Sequence, residues 1–346
     1  MSELSPVATP VMASWIASQT RQLLSQKGHA WLLQGPSGLG QYSLGLSLVR
    51  SWLCENPLAQ GACGLCTSCH AIDVRTHADL CVLMPETTQL ELGWPLSEKA
   101  QAEIDDKKRK PSREIRVESM RDAIEFSQRT SARGRGKAVL VYPAERMNPI
   151  SANALLKTLE EPSGDTRFVL ASEAAHQLLP TIRSRCIAHT MLWPEVADSL
   201  AWLQTMGMSG ADAATLLQAS GGRPEDAMLF AQTGRDPQRW KAIPRAVASG
   251  DVSIFKDWPV PQVIDALHRL CHDLMALSCG ASPRFFEVTD LPAKSALADL
   301  SAWSRDLAQA SRTAEHPFNA GLMMEDLVNR AQTALKFKSS ASGLSV

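Results

Sequence analysis

The chain of 346 residues lacks a dominant charge: 35 Lys and Arg stand against 36 Asp and Glu, a formal net charge of −1. No whole-molecule field would therefore draw it onto nucleic acid or an anionic membrane. Long apolar runs are missing as well, none approaching the roughly 18 residues that span a bilayer. Residues 1–19 hold an acidic residue and two prolines but no basic stretch leading into an apolar core. That argues against a signal peptide and makes a cytoplasmic location the expectation. Aromatics are scarce, at 5%. None interleaves the basic run Lys107-Lys-Arg-Lys110, which reads as a solvated loop rather than a nucleic-acid patch.

What is present is an ordinary globular composition, 45% hydrophobic and 21% charged, long enough for two or three domains. One stretch organises the reading: Gly35-Pro-Ser-Gly-Leu-Gly-Gln-Tyr-Ser43. It follows an apolar strand-like run, Ala30–Leu33, and opens an amphipathic helix through Leu44, Leu48 and Trp52, the setting of a phosphate-binding loop. Gly35, Gly38 and Gly40 can form the tight turn whose amides face inward. The pattern then requires Lys and Ser or Thr, for the phosphates and for Mg²⁺, where this chain has Gln41 and Tyr42. The apolar run Lys137–Val141 predicts a central strand. At its end, where a P-loop ATPase carries Asp-Glu, stand Tyr142 and Pro143, and Glu145 reads as an exposed residue near a helix start.

Eight cysteines in a long, intracellular-looking chain argue against a disulfide scaffold. Four cluster as Cys54-x8-Cys63-x2-Cys66-x2-Cys69 around Gly61 and Gly64, a spacing that supplies four thiolates to a tetrahedral, structural Zn²⁺. An iron–sulfur cluster or free thiols are the alternatives, but the Cys-Pro pair of the cluster pattern does not follow. His70 and His77 read as ordinary polar residues, and Cys81, Cys186, Cys271 and Cys279 as buried thiols.

The rest of the chain alternates strand and helix signals. Strands are expected at 30–34, 80–84, 137–141, 168–172 and 187–190, and helices at 12–27, 43–53, 118–130 and 153–160. Between them, 86–114 has few apolar residues and mixed charge, the signature of an exposed, partly mobile insertion. Beyond Thr190, short helices through residue 237 precede a linker with one helix. Three amphipathic helices follow at 262–278, 294–312 and 318–336, and then a polar tail, 339–346, expected to fray.

Taken together and in order, the broken loop at 35–42, the four cysteines, Asn153-Ala-Leu-Leu-Lys-Thr-Leu-Glu-Glu-Pro162 and Ser184-Arg-Cys186 resemble the delta-prime subunits of bacterial DNA polymerase III clamp loaders, over residues 12–230. The resemblance implies an AAA+ architecture. A RecA-like α/β parallel-sheet domain would cover 1–190, with the zinc module at 54–69 and the flexible insertion at 86–114. A small helical lid would cover 191–237, and an all-α collar domain 238–346. It implies a pentameric ring with gamma or tau ATPase subunits and delta, reaching the sliding clamp and primer–template DNA through the complex, with no membrane partner. It makes Arg185 an arginine finger offered in trans to a neighbour's ATP, and Cys54, Cys63, Cys66 and Cys69 the zinc ligands. Ser172 takes the sensor-1 position, and Glu225, or Arg223 in a shifted alignment, the sensor-2 position. Gly35, Gly38, Gly40, Gln41 and Tyr42 become a vestigial loop with no nucleotide expected. An active AAA+ clamp-loader ATPase would need the missing Lys and acidic pair, and a zinc-dependent nucleic-acid-binding protein would predict a basic surface.

Overall fold

A computed structural model describes residues 12–292, 295–314 and 319–336; the tail 339–346 lies outside the described residues. The chain divides into two compact units at Gly207, inside the stretch assigned above to a lid.

In the first unit the order is α1 (Ser14–Leu24), β1 (Ala30–Gln34), α2 (Gln41–Leu53), α3 (Thr67–Asp73), β2 (Leu80–Leu83), α4 (Glu86–Glu91), α5 (Glu98–Asp105), α6 (Val117–Gln128), β3 (Lys137–Val141), α7 (Pro149–Glu160), β4 (Thr166–Ser172), α8 (Pro180–Arg183), β5 (Ile187–Thr190) and α9 (Val196–Thr205). The strands form one sheet in the order β2-β3-β4-β1-β5. Every pairing is parallel, with Trp31 opposite Val169 and Ile187, and Val139 opposite Cys81 and Phe168.

Side chains alternate across a strand, so each strand feeds two cores. Trp31, Leu33, Leu140, Val169 and Ala171 face α1 and α2 residues such as Ile16, Leu23, Leu44 and Leu48. Leu32, Val139, Val141, Phe168 and Leu170 join Met120, Leu155, Leu159 and Ile182 on the other side. This two-sided burial is why Lys137–Val141 reads as an unbroken apolar run. A Cβ at Gly45 would meet Leu140 Cδ1 at 2.7 Å, so only glycine lets α2 lie this close to the sheet. At α7, Asn148 Oδ1 accepts from the Ser151 amide at 2.9 Å and Pro149 occupies the first turn, a sequence-encoded start.

The second unit is helical among its described residues: α10 (Gly210–Ala219), α11 (Pro224–Gln232), α12 (Pro237–Ser249), α13 (Val260–Ser278), α14 (Leu297–Thr313) and α15 (Ala320–Leu335). Trp240 is almost wholly buried and stacks on Phe286, with ring centroids 4.9 Å apart. Asp273 of α13 is fully buried, and it accepts from the amides of Arg284, Phe285 and Phe286 at 2.7–2.8 Å.

Two expectations are corrected. The 86–114 segment, expected as an exposed, partly mobile insertion, is largely exposed and carries the short helices α4 and α5. Arg109 of the basic run is not simply solvated: it bonds Glu86 and Glu103, and Glu86 also accepts from the Ser112 amide. Charge alternation there reflects an internal ion-pair clamp, which composition does not distinguish from solvation. Cys279, expected to be buried, is exposed at the end of α13.

Candidate functional site

The glycine loop leaves the carboxyl end of β1 and opens α2, as the sequence predicts. Gly38 and Gly40 have φ of +76° and +95°, which L side chains rarely adopt, so these two positions hold the turn. The interior of the turn is occupied by the protein itself. Gln41 is 2% exposed, and its Nε2 donates to the carbonyls of Gly35 at 2.9 Å and Pro36 at 2.7 Å. Gly35 N donates to Ser172 O, and Trp15 Nε1 donates to Leu39 O at 3.0 Å, tying the loop to β4 and α1. Loop carbonyls that point at Gln41 and Trp15 bind donors, the reverse of what an anion needs.

The next wall is aromatic. The Tyr42 and Tyr142 rings pack with centroids 5.3 Å apart, bringing together the ends of the glycine loop and β3. Trp94, from between α4 and α5, donates its indole N–H to Tyr42 Oη at 2.7 Å, and Tyr142 Oη donates to Glu173 Oε1 at 2.8 Å. Glu145 is not the exposed residue expected. It is half-buried in a single 3-10 turn, accepting from Ser172 Oγ at 2.7 Å and from the Glu173 amide at 3.2 Å. Ser172, with no exposed surface, is thus engaged by a carboxylate of its own chain.

The four clustered cysteines converge. Their Sγ atoms all lie within 4.8 Å of one another, with Cys54–Cys63 at 3.5 Å and Cys54–Cys66 at 3.8 Å. Four sulfurs around one Zn²⁺ at about 2.3 Å stand about 3.8 Å apart, so the set fits a tetrahedral ion. Amides of Cys63, Leu65 and Cys69 point at the sulfurs of Cys54, Cys63 and Cys66, the hydrogen bonds that thiolates accept. Burial pushes the Cys66 thiol up, but backbone donors at Cys69 and Glu55 outweigh it and bring it down to about 6. His77 stays outside the cluster, its Nδ1 accepting from the Asp79 amide.

Arg185 lies at the far end of the domain's last crossover, in the turn between α8 and β5. Its Nε donates to Glu160 Oε1 of α7 at 2.5 Å, its Nη2 also pairs with Glu160, and its Nη1 donates to Thr181 O at 2.8 Å. The side chain remains 30% exposed, held yet reachable. In the second unit, Arg223 caps the start of α11. Its guanidinium is tied to Asp226 at 2.9 Å and to Ser220 O at 2.8 Å, and Glu225 follows two positions later in the first turn of α11.

Five parallel strands with helices on both faces, and a glycine loop leading from β1 into α2, define the first unit as a RecA-like α/β domain of the AAA+ class. The chain belongs to the family described as DNA polymerase III, delta subunit, whose family model matches residues 15–192. It is 39% identical over 221 residues to the DNA polymerase III subunit delta′ of Pseudomonas aeruginosa, a match covering 63% of this chain and 60% of that one. It is 29% identical to the subunit delta′ of Escherichia coli over 79% of this chain and 76% of that one. The DNA polymerase III subunit tau of Escherichia coli is 33% identical over 159 residues, which cover 46% of this chain and 21% of tau.

Proposed function

We propose that this chain is a non-hydrolysing subunit of a bacterial DNA polymerase III clamp loader, which helps to load the sliding clamp onto primed DNA and supplies Arg185 in trans to ATP on a neighbouring gamma or tau subunit. The observation that carries the reading is the filled glycine loop: Gln41 plugs it, and the Tyr42–Tyr142 pair stands where a metal and its ligands would be. A site in that state lacks the Lys for the phosphates, and its nearby carboxylates, Glu145 and Glu173, are engaged by Ser172 and Tyr142. It makes the chain a participant in hydrolysis rather than a site of it, with delta and the other subunits completing the ring.

Arg185 suits the remaining role on chemical grounds. Its guanidinium is planar, permanently charged and already set in a fork by Glu160 and Thr181 O. Nε and Nη2 both meet Glu160 Oε1, so exchanging that oxygen for one of a γ-phosphate on an adjoining subunit would keep the charge-assisted pairing and place positive charge where the transition state gains negative charge. The cysteines would hold Zn²⁺ through four thiolates, leaving no open coordination position, so the ion would brace the 54–69 segment without joining the reaction.

Alone, the chain is expected to turn over no ATP. In a reconstituted loader, Arg185→Ala should reduce DNA-stimulated ATPase by about 10³-fold, the low end for a lost arginine finger, while ring assembly by size-exclusion chromatography is retained. Undiminished hydrolysis in that assembled ring would refute the finger role.

A further inference from the structure

The first unit carries a recess that none of these roles uses. It has a volume of 520 Å³ and is lined by Arg21 at the end of α1, Trp52 near the end of α2, Arg135 just before β3, and Asp165 and Arg167 around the start of β4. Because the strands are parallel, these residues sit at the amino ends of β3 and β4, the opposite edge of the sheet from the glycine loop at the carboxyl end of β1. Three guanidiniums converge there against one carboxylate. Arg167 Nη2 lies 3.4 Å from Asp165 Oδ1, and among the described residues Arg21 and Arg135 have no acidic partner, so two positive charges stay unmatched. The Arg167 guanidinium also lies over the Trp52 ring, 5.4 Å from its centroid.

We propose that this recess binds single-stranded nucleic acid, its phosphates taken by Arg21 and Arg135 and a base stacked on the Arg167–Trp52 pair. Guanidinium forks match phosphate oxygens in pairs. A guanidinium plane backed by an indole is a platform on which any base can stack, and such platforms with cationic neighbours hold single strands without reading sequence. An acidic peptide would satisfy the guanidiniums but make no use of the stack, which is why the nucleic acid is favoured. The near-zero net charge does not oppose this, since screening confines the field to about 8 Å at physiological salt and only local charge counts.

The test is fluorescence anisotropy of a labelled oligothymidylate of about 12 nucleotides, within the range one binding module spans, with the full-length chain across a salt series. Arg21→Ala combined with Arg135→Ala should weaken binding at least about tenfold at low salt and flatten the log–log salt slope by about 1.4, two contacts at about 0.7 each. Arg167→Lys, which keeps the charge and loses the plane, should weaken binding with the slope unchanged. Lys107→Ala with Lys108→Ala, outside the recess, should change neither. The proposal falls if the wild-type chain does not bind, if the outside pair matters as much as the arginine pair, or if Arg167→Lys is silent while polyglutamate displaces the strand.

Discussion

Asp79 has no exposed surface, yet it is the hub of the turn that leads into β3. Its carboxylate accepts from the amides of Ala132 and Arg133 and from Ser131 Oγ, with Lys137 Nζ 3.6 Å away. Burial raises its pKa, but the amide and hydroxyl donors and Lys137 outweigh that and hold it below the ordinary aspartate value. A group depressed in the folded state adds stability above its unfolded pKa, about 3.9, and loses it as pH falls through the folded value. Melting temperature should therefore drop below about pH 4, and Asp79→Asn should show a shallower acid limb and a lower melting temperature at neutral pH. Asp273 is its counterpart in the second unit. Asp273→Ala would leave three amides without an acceptor and should cost at least about 1–3 kcal/mol in denaturant unfolding, the scale of a buried donor left unsatisfied. Nothing in the sequence around Asp79 or Asp273 marks either as buried, because their partners lie in loops whose approach depends on the fold.

At the scale of elements, the segment 86–114 changed most between sequence and structure. Its polarity suggested a solvated loop, and its charges instead close on one another through Arg109, while Trp94 reaches back to Tyr42. A segment can be polar and ordered when its ion pairs satisfy each other, and local composition does not record pairing. The cysteine module was legible from spacing, since x2 gaps place sulfurs on one turn and Cys54 is expected at the end of the preceding helix, where it stands; the convergence of all four sulfurs needed the fold. Elemental analysis should find one zinc per chain, and chelation or Cys66→Ser should lower stability and protease resistance across 54–69, because metal binding to such a set is folding free energy. An equal melting temperature with and without chelator would count against zinc.

For the molecule as a whole, the departures from a nucleotide-binding pattern are distributed, at Gln41 and Tyr42 in the glycine loop and at Tyr142 and Pro143 after β3. Gln41→Lys with Tyr42→Thr would restore the written motif of the glycine loop, yet Tyr142 and Pro143 would still close the next wall without a carboxylate. The double variant is expected to show no ATP hydrolysis above the parent, and its stability should fall by at least about 1–2 kcal/mol for the two hydrogen bonds that Gln41 gives up, with the loss of Tyr42's contacts to Tyr142 and Trp94 added to it. Hydrolysis restored by those two changes alone would show that the glycine loop, not several walls, silences the site. By itself the sequence determined the parallel α/β pattern, the missing Lys and acidic pair, and the cysteine spacing, because these depend on residue type and short-range periodicity. Only the tertiary structure decided what fills the place of the missing groups. The chain has two tyrosines, one hundred positions apart, and the register of β1, β4 and β3 brings the first turn of α2 and the end of β3, which carry them, to the carboxyl ends of the strands, where they pack on each other. A motif can show that a ligand is gone; the contact that replaces it is made between residues far apart in the chain, and only the packing of the sheet brings them together.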